Sequence, residues 1–287
     1  RTLNKDPFSM DSILCLTDFH HNSAQPFRYG LHLTRHLHNE LYVAHVEDSA
    51  DFPTVEDSAK LDESINTEQL DALHKLRQFI QTNTPEEDQK LPVHGVIVGD
   101  NLWDGIEVLT GKYDADLIIM GMRNRMGFAG RIFGGLASKM INLAEVPVLM
   151  TPPGTQFTPI KSVVYATDFD VANLASIEKM VAWCQALDAN LYLVHVNDDP
   201  ADNAWAKQQM EKIMRALEED NEDQRVRFTI LEGDDIMDHL EHYMQEVKAD
   251  LIALTAYRKG FWDRILRSGL AHEVIQEVNI PVLIFKS

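Results

Sequence analysis

Short apolar runs alternate along this chain with longer stretches in which apolar positions recur every three or four residues. The runs fall at about 12–17, 41–46, 93–98, 116–121 and 147–150, and most are continuous rather than alternating. That pattern predicts strands of a parallel sheet covered on both faces. Behind Ser23, the residues Phe27, Leu31 and Leu37 lie at helical spacing, which predicts a helix capped by that serine. Leu70, Leu73, Leu76 and Ile80 predict a second helix. Leu102 and Trp103 follow a Gly99-Asp100 turn and are expected to be core contacts of a third. Strand and helix in alternation imply right-handed crossovers and a doubly wound sheet.

The whole pattern then returns. Ile13-Leu-Cys-Leu-Thr17-Asp18-Phe19 reappears as Val163-Val-Tyr-Ala-Thr167-Asp168-Phe169, a shift of 150 positions, and the same shift carries Leu41-Tyr42-Val-Ala-His45-Val46 onto Leu191-Tyr192-Leu-Val-His195-Val196. Further on the shift is 134: Ala115-Asp116-Leu117-Ile118 matches Ala249-Asp250-Leu251-Ile252, Gly99-Asp100 matches Gly233-Asp234, and Pro147-Val148-Leu149 matches Pro281-Val282-Leu283. With Gly135-Leu136-Ala137 recurring as Gly269-Leu270-Ala271 at the same shift, six collinear matches make chance untenable. The second copy is 16 residues shorter between its second and third strands. The expected architecture is two tandem α/β domains, 10–152 and 159–287, each a doubly wound five-stranded parallel sheet, joined near Pro152-Pro153-Gly154. Residues 1–9 carry no apolar period and are read as an expression leftover.

Composition narrows the function. Acidic residues number 45 against 26 basic ones, a net charge of −19. Such a surface repels phosphate backbones and anionic lipid, so neither nucleic acid nor membrane is expected as a partner. No apolar run approaches the ~20 residues of a spanning helix. Cys15 and Cys184 have no metal-ligand spacing, and a reducing cytoplasm is the expected location.

In doubly wound sheets ligands bind beyond the carboxyl ends of the strands, where the strand order reverses. Three segments of the first copy reach that edge: Thr17-Asp18, His45-Val46, and the loop Gly121-Met-Arg123-Asn124-Arg125-Met-Gly127-Phe-Ala-Gly130-Arg131-Ile-Phe-Gly134-Gly135 that opens a helix. Glycines at a helix start expose backbone N–H groups to an anion, and Arg123, Arg125 and Arg131 add positive charge. Taken alone, the loop fits a plain glycine-rich connection equally well. His45 and His195 read as satisfied core histidines. His32 and His36 have a spacing that can share a metal, but no third ligand is evident beyond His20-His21, and the pair reads as a solvated helix face. No catalytic triad, carboxylate pair or full Walker loop is present.

With Thr-Asp-Phe after strand one, Leu-Tyr-x-x-His-Val in strand two, Ala-Asp-Leu-Ile in strand four and Pro-Val-Leu in strand five, the chain resembles the universal stress protein family, twice over. The resemblance implies an adenine nucleotide alpha hydrolase-like fold and, in the nucleotide-binding branch, a Gly-x2-Gly-x9-Gly-Ser/Thr signature cradling ATP. Here that signature reads Gly121, Asn124, Gly134 and Gly135, with the nine-residue spacer kept. Asparagine tolerates positive φ, whereas the final hydroxyl is lost. The resemblance thus implies ATP or a related adenine nucleotide as ligand of the first copy, on Thr17, Asp18, Val46, Gly121, Arg123, Asn124, Gly134, Gly135 and Leu136. In the second copy the positions are Thr255, Arg258, Ser268 and Gly269, a degenerate site. It implies also that the fifth strands of the two copies pair within one chain, and it leaves a homodimer of whole chains open. The expected function is a cytoplasmic stress-response sensor or binding module. The alternatives are a slow ATP hydrolase or phosphotransferase, and an interaction protein that needs no nucleotide.

Overall fold

The computed structural model describes residues 9–47, 54–56, 67–122, 140, 144–167, 173–197, 203–220, 225–232, 236–256 and 280–286. These fall into two compact units, one holding Met10–Arg125 with Leu143–Phe157 and the other holding Thr158–Ser287 together with Ser9 and Met140.

The first unit runs β1 (Ser12–Leu16), α1 (Ala24–Leu37), β2 (Glu40–Glu47), β3 (Val55–Glu56), α2 (Thr67–Asn83), β4 (Val93–Gly99), α3 (Leu102–Lys112), β5 (Leu117–Gly121) and β6 (Val148–Thr151). Its strand order is β3-β4-β2-β1-β5-β6. The pairs among β4, β2, β1, β5 and β6 are parallel. The two-residue β3 lies antiparallel on the β4 edge and adds a sixth strand to the five expected. Two residues carry no readable period, so β3 is invisible in the sequence. Continuous burial along β1, β5 and β6 is what a sheet covered on both faces requires.

The second unit repeats this plan with β7 (Ser162–Ala166), α4 (Leu174–Leu187), β8 (Asn190–Asn197), α5 (Asn203–Asp220), β9 (Val226–Glu232), α6 (Ile236–Glu246), β10 (Leu251–Ala256) and β11 (Val282–Lys286). Its strand order is β11-β10-β7-β8-β9. Register is conserved between the copies: Ile13 faces Leu117 as Val163 faces Leu251, and Ser12 faces Glu40 as Ser162 faces Asn190. The third strand is displaced by one. Glu47 faces Gly99 but Asn197 faces Glu232, so Gly99 corresponds in the sheet to Glu232 rather than to Gly233.

Helix ends repeat too. His38 and Asp188 close α1 and α4 in the left-handed region, at φ 55° and 53°. Asp114 and Lys248 do the same before β5 and β10, at φ 47° and 50°. A left-handed residue stops a helix and returns the chain to the sheet. At the amino edge one carboxylate ties two strands together. Asp116 Oδ2 accepts the amides of Asp11 at 2.7 Å and Ser12 at 3.2 Å. Asp250 Oδ2 accepts those of Lys161 at 2.9 Å and Ser162 at 3.0 Å. This clasp is the structural role of the aspartate in each Ala-Asp-Leu-Ile motif.

Three expectations need correction. Ser23 does not cap α1: a 3-10 turn over His21–Ser23 leads into the helix, so Ser23 already has helical backbone and makes no side-chain cap bond. Leu102 is 44% exposed, because the buried face of α3 is Gly105, Ile106 and Leu109. α3 is capped instead by Asn101, whose side-chain oxygen accepts the Asp104 amide. Leu37, Leu70 and Ile80 are only half-buried, whereas Phe27, Leu31, Leu73 and Leu76 are fully so.

Candidate functional site

In the first unit the chain leaves β1 towards β2 and β4 on one side, then returns to β5 and β6 on the other. The strand order therefore reverses beside β1, and the segments after β1 and β5 flank a crevice at their carboxyl ends. Thr17-Asp18 and Gly121 stand there.

The loop after β1 is built by its own side chains. The Thr17 amide donates to the Ala44 carbonyl at 2.8 Å, extending the β1–β2 ladder by one residue. Thr17 Oγ1 accepts the Phe19 amide at 3.1 Å. Asp18 Oδ1 accepts the His20 amide at 3.0 Å and the Ser23 hydroxyl at 2.6 Å, while the Asp18 amide donates to Ser23 Oγ at 3.3 Å. The hydroxyl expected to cap α1 thus locks the aspartate. Phe19 is held at φ 62°, a left-handed conformation that costs a bulky residue on the order of 1–3 kcal/mol. Its ring lies 4.2 Å from that of His45, which offsets part of the cost.

His45 closes the loop from below. Its Nδ1 is 2.9 Å from the Thr17 carbonyl oxygen, and since a carbonyl only accepts, Nδ1–H is the donor. Nε2 is 3.4 Å from Glu47 Oε2. In the second unit His195 Nδ1 likewise donates to the Thr167 carbonyl at 3.0 Å. Both histidines are satisfied, as the sequence suggests, but as half-buried loop clamps rather than core residues.

Gly121 ends β5 beneath this loop. A Cβ there would come within 3.2 Å of Pro26 Cγ and 3.3 Å of the Asn22 carbonyl oxygen. The glycine thus lets the start of α1 sit directly on the sheet edge. Val46 is spent on packing: its Cγ1 would be 2.9 Å from a Cβ on Gly105, so its side chain presses on α3 and only its backbone is left for a ligand at the edge. Thr17, Asp18, Val46 and Gly121 are accordingly placed at one sheet edge. Arg123, Asn124, Gly134, Gly135 and Leu136 lie outside the described residues, as do Asp168, Arg258, Ser268 and Gly269.

At the matching edge of the second unit, Thr255 stands in register where the first unit has Gly121, and Tyr165 where it has Cys15. Tyr165 Oη and Thr255 Oγ1 are 2.5 Å apart, both buried. The Tyr165 ring stacks on Phe285 at 5.7 Å, and Trp183 lies 5.8 Å from Phe285. By register and shift the first unit has Thr151 and Leu33 at the last two positions. The second unit therefore carries aromatic side chains where the first unit has Cys15, Leu33 and Thr151, all of them buried. Comparing the copies position by position is the signal that finds this.

Reactivity is muted. Burial pushes the Cys15 thiol up to about 12 and raises that of Cys184 further, so neither is a thiolate near neutrality. Among the described residues no group of three or more His, Cys, Asp or Glu could hold a metal ion. The His32–His36 pair is not a solvated face: His32 is buried, and His36 Nδ1 donates to the His32 carbonyl at 2.8 Å. Among the described residues no helix is long and apolar enough to cross a membrane.

Comparison with known proteins bears on this geometry. The universal stress protein family model matches the chain twice, over residues 10–152 and 159–286. A putative universal stress protein from Pseudomonas aeruginosa is 17% identical, with 98% of this chain and 95% of that one covered at a TM-score of 0.64. A universal stress protein from Archaeoglobus fulgidus is 18% identical, with 97% of each chain covered at 0.61. At such identities these solved structures speak to the fold alone. A universal stress protein in complex with cAMP matches only 45% of this chain, at a TM-score of 0.35, and locates no ligand here. No curated relative matches the chain.

Proposed function

This chain belongs to the universal stress protein family, and from that premise we propose that it is a tandem stress-response sensor whose first unit binds one adenine nucleotide. The observation that carries the proposal is the crevice at the strand reversal. An aspartate locked by its own loop follows β1, and a glycine on which a Cβ would crowd Pro26 and the Asn22 carbonyl ends β5. A carboxylate held in one rotamer is suited to accept hydrogen bonds from ribose hydroxyls. Thr17, Asp18 and the Val46 backbone would hold the adenosine. Gly121, Arg123, Asn124, Gly134, Gly135 and Leu136 would take the phosphates. The second unit is a degenerate copy whose edge is filled by Tyr165 and Thr255. Two buried free thiols suit a reducing cytoplasm.

Titration calorimetry of the whole chain with ATP, ADP and AMP tests this. One nucleotide per chain is expected. Asp18→Asn keeps the loop's acceptor but removes its charge, and should weaken affinity about tenfold or more. Gly121→Val is a poorer probe, because its side chain would first strike Pro26 and the Asn22 carbonyl. No heat at millimolar nucleotide, or two equivalents per chain, would refute the proposal.

A further inference from the structure

α1 has two working faces. Near its start, Pro26 and the preceding Asn22 carbonyl press on Gly121 at the proposed site. Gln25, Tyr29 and His32 form a stripe at helical spacing on the same helix, and that stripe holds the segment that leads out of the unit. The exit begins with a Pro152-Pro153-Gly154-Thr155 turn, in which the Thr155 amide donates to the Pro152 carbonyl at 3.2 Å and Gly154 takes φ 84°. The chain then lies on α1. Gln25 Oε1 accepts the Phe157 amide at 2.8 Å, and Tyr29 Oη donates to the Gln156 carbonyl at 3.4 Å. The Phe157 ring sits 5.0 Å from Tyr29 and 5.7 Å from His32.

The docking is balanced rather than tight. Thr155 is 2% exposed, yet its hydroxyl has no hydrogen-bond partner, a buried polar group left unpaid when the segment lies down. One of the two anchoring hydrogen bonds is long, and Phe157 itself is only half-buried. The anchor Gln25 is one residue from Pro26 and two from Ser23, which locks Asp18. A short helix end that touches the site on one side and the exit segment on the other cannot move for one without disturbing the other.

We propose that residues 155–157 form a regulatory strap: docked on the Gln25–Tyr29–His32 stripe, it orders the Thr17–Ser23 loop, and its release loosens that loop. Because residue 158 lies in the second unit, the strap is a covalent route by which the state of the first unit's site can reach the second. The ordering of the loop stands by itself. Its use as a nucleotide signal rests on the function proposed above.

Hydrogen exchange at single-amide resolution on the whole chain separates the two. Without any ligand, Phe157→Ala should speed exchange of the Phe19, His20 and Ser23 amides about tenfold. The Asp116 and Leu41 amides, bonded at the opposite edge to Ser12 and Pro92, should be unchanged. Gln25→Ala removes only the anchoring acceptor and should act in the same direction more weakly. Thr155→Val removes the orphan hydroxyl and should slow exchange of the Phe157 amide. Loop amides that keep wild-type rates in Phe157→Ala and Gln25→Ala while the amide of residue 157 opens would overturn the strap. With ATP, the Phe157 amide of the wild-type chain should exchange more slowly. Calorimetric binding without that change would overturn the signal, whereas absence of binding would overturn the proposed ligand and leave the ligand-free result to decide the strap.

Discussion

Asp116 and Asp250 stand 134 positions apart and hold the amino edges of their units in the same way, each accepting two backbone amides of the first strand. Gly121 and Thr255, also 134 positions apart, differ in every respect. The first makes room for the start of α1, and the second shares a buried hydrogen bond with Tyr165. The two amino edges thus share one clasp, whereas the copies part at the carboxyl edge, where an open α/β sheet takes its ligand. Already within its strands the second copy's carboxyl edge departs from that of the first. A tyrosine in β7 and an aromatic residue in β11 fill the edge from beneath.

The sharpest way to break this comparison is to empty that edge. Tyr165→Ala should destabilise the second unit by about 3–5 kcal/mol, the range for deleting a buried aromatic. Tyr165→Phe, which keeps the volume but leaves the Thr255 hydroxyl unpaired, should cost about 1–3 kcal/mol. Cys15→Ala at the matching place should cost less than Tyr165→Ala. Thermal unfolding followed by calorimetry reads all three. Equal losses for Cys15→Ala and Tyr165→Ala would mean that the aromatic filling carries no weight.

A second measurement probes the shared edge. Asp116→Ala and Asp250→Ala each remove a carboxylate that accepts two backbone amides, so each should cost about 2–3 kcal/mol, in the range of hydrogen bonds to charged groups. The expected result is two similar denaturant midpoint shifts, one in each unit. A large loss in one copy with none in the other would show that the clasps are alike in geometry and unlike in weight.

Much of the scaffold behind these expectations is legible in the sequence, for a physical reason. A parallel strand buried on both faces must be apolar throughout, so β1, β5, β6 and their counterparts announce themselves. The repeat then doubles every reading. What escapes is whatever depends on a partner distant in the chain. Ser23 looks like a cap because serine precedes a helix; only the 3-10 turn and the position of Asp18 turn its hydroxyl elsewhere. Tyr165 meets Thr255 across 90 residues, which requires β7 and β10 to be neighbours in a known register. Leu102 follows its turn like a core residue, yet the phase of α3 points it outward. At the site itself Thr17, Asp18 and Gly121 are found at the expected edge, because motifs at strand ends inherit their position from the strands. The Val46 side chain faces away from that edge because alternation along β2 assigns it to α3.

A smaller effect, of opposite sign, should come from Asn39. It is 2% exposed, and neither end of its amide has a hydrogen-bond partner. The second copy carries Ala189 at the same place, fully buried, so alanine demonstrably fits this corner between helix and strand. Asn39→Ala should therefore stabilise the first unit by about 1 kcal/mol, as the unsatisfied amide disappears. A lowered midpoint would show instead that a bound water satisfies the amide.

The smallest expected effect concerns β3, which among the described residues has no counterpart in the second unit. Glu56 Oε1 accepts from Lys112 Nζ at 2.6 Å and from Tyr113 Oη at 2.8 Å, tying the short strand to the end of α3. The Lys112 hydrogen bond, followed by that of Tyr113, holds the Glu56 carboxyl below its ordinary range. A carboxylate with a depressed folded-state value contributes stability that is present above its unfolded value and is lost as pH falls through the folded one. The anchor should thus be intact at neutral pH and fade only under acidic conditions. Lys112 and Glu56 are both close to half exposed, so solvent screening keeps the contribution under about 1 kcal/mol. Glu56→Gln should consequently leave the global unfolding midpoint within a degree or two at pH 7 while speeding exchange of the β3 amides, and the difference from wild type should vanish in acid. If the difference between variant and wild type persists undiminished to the most acidic pH at which the fold survives, the charge on Glu56 is not what holds β3. The strand would then depend on its ladder with β4 and on the burial of Val55.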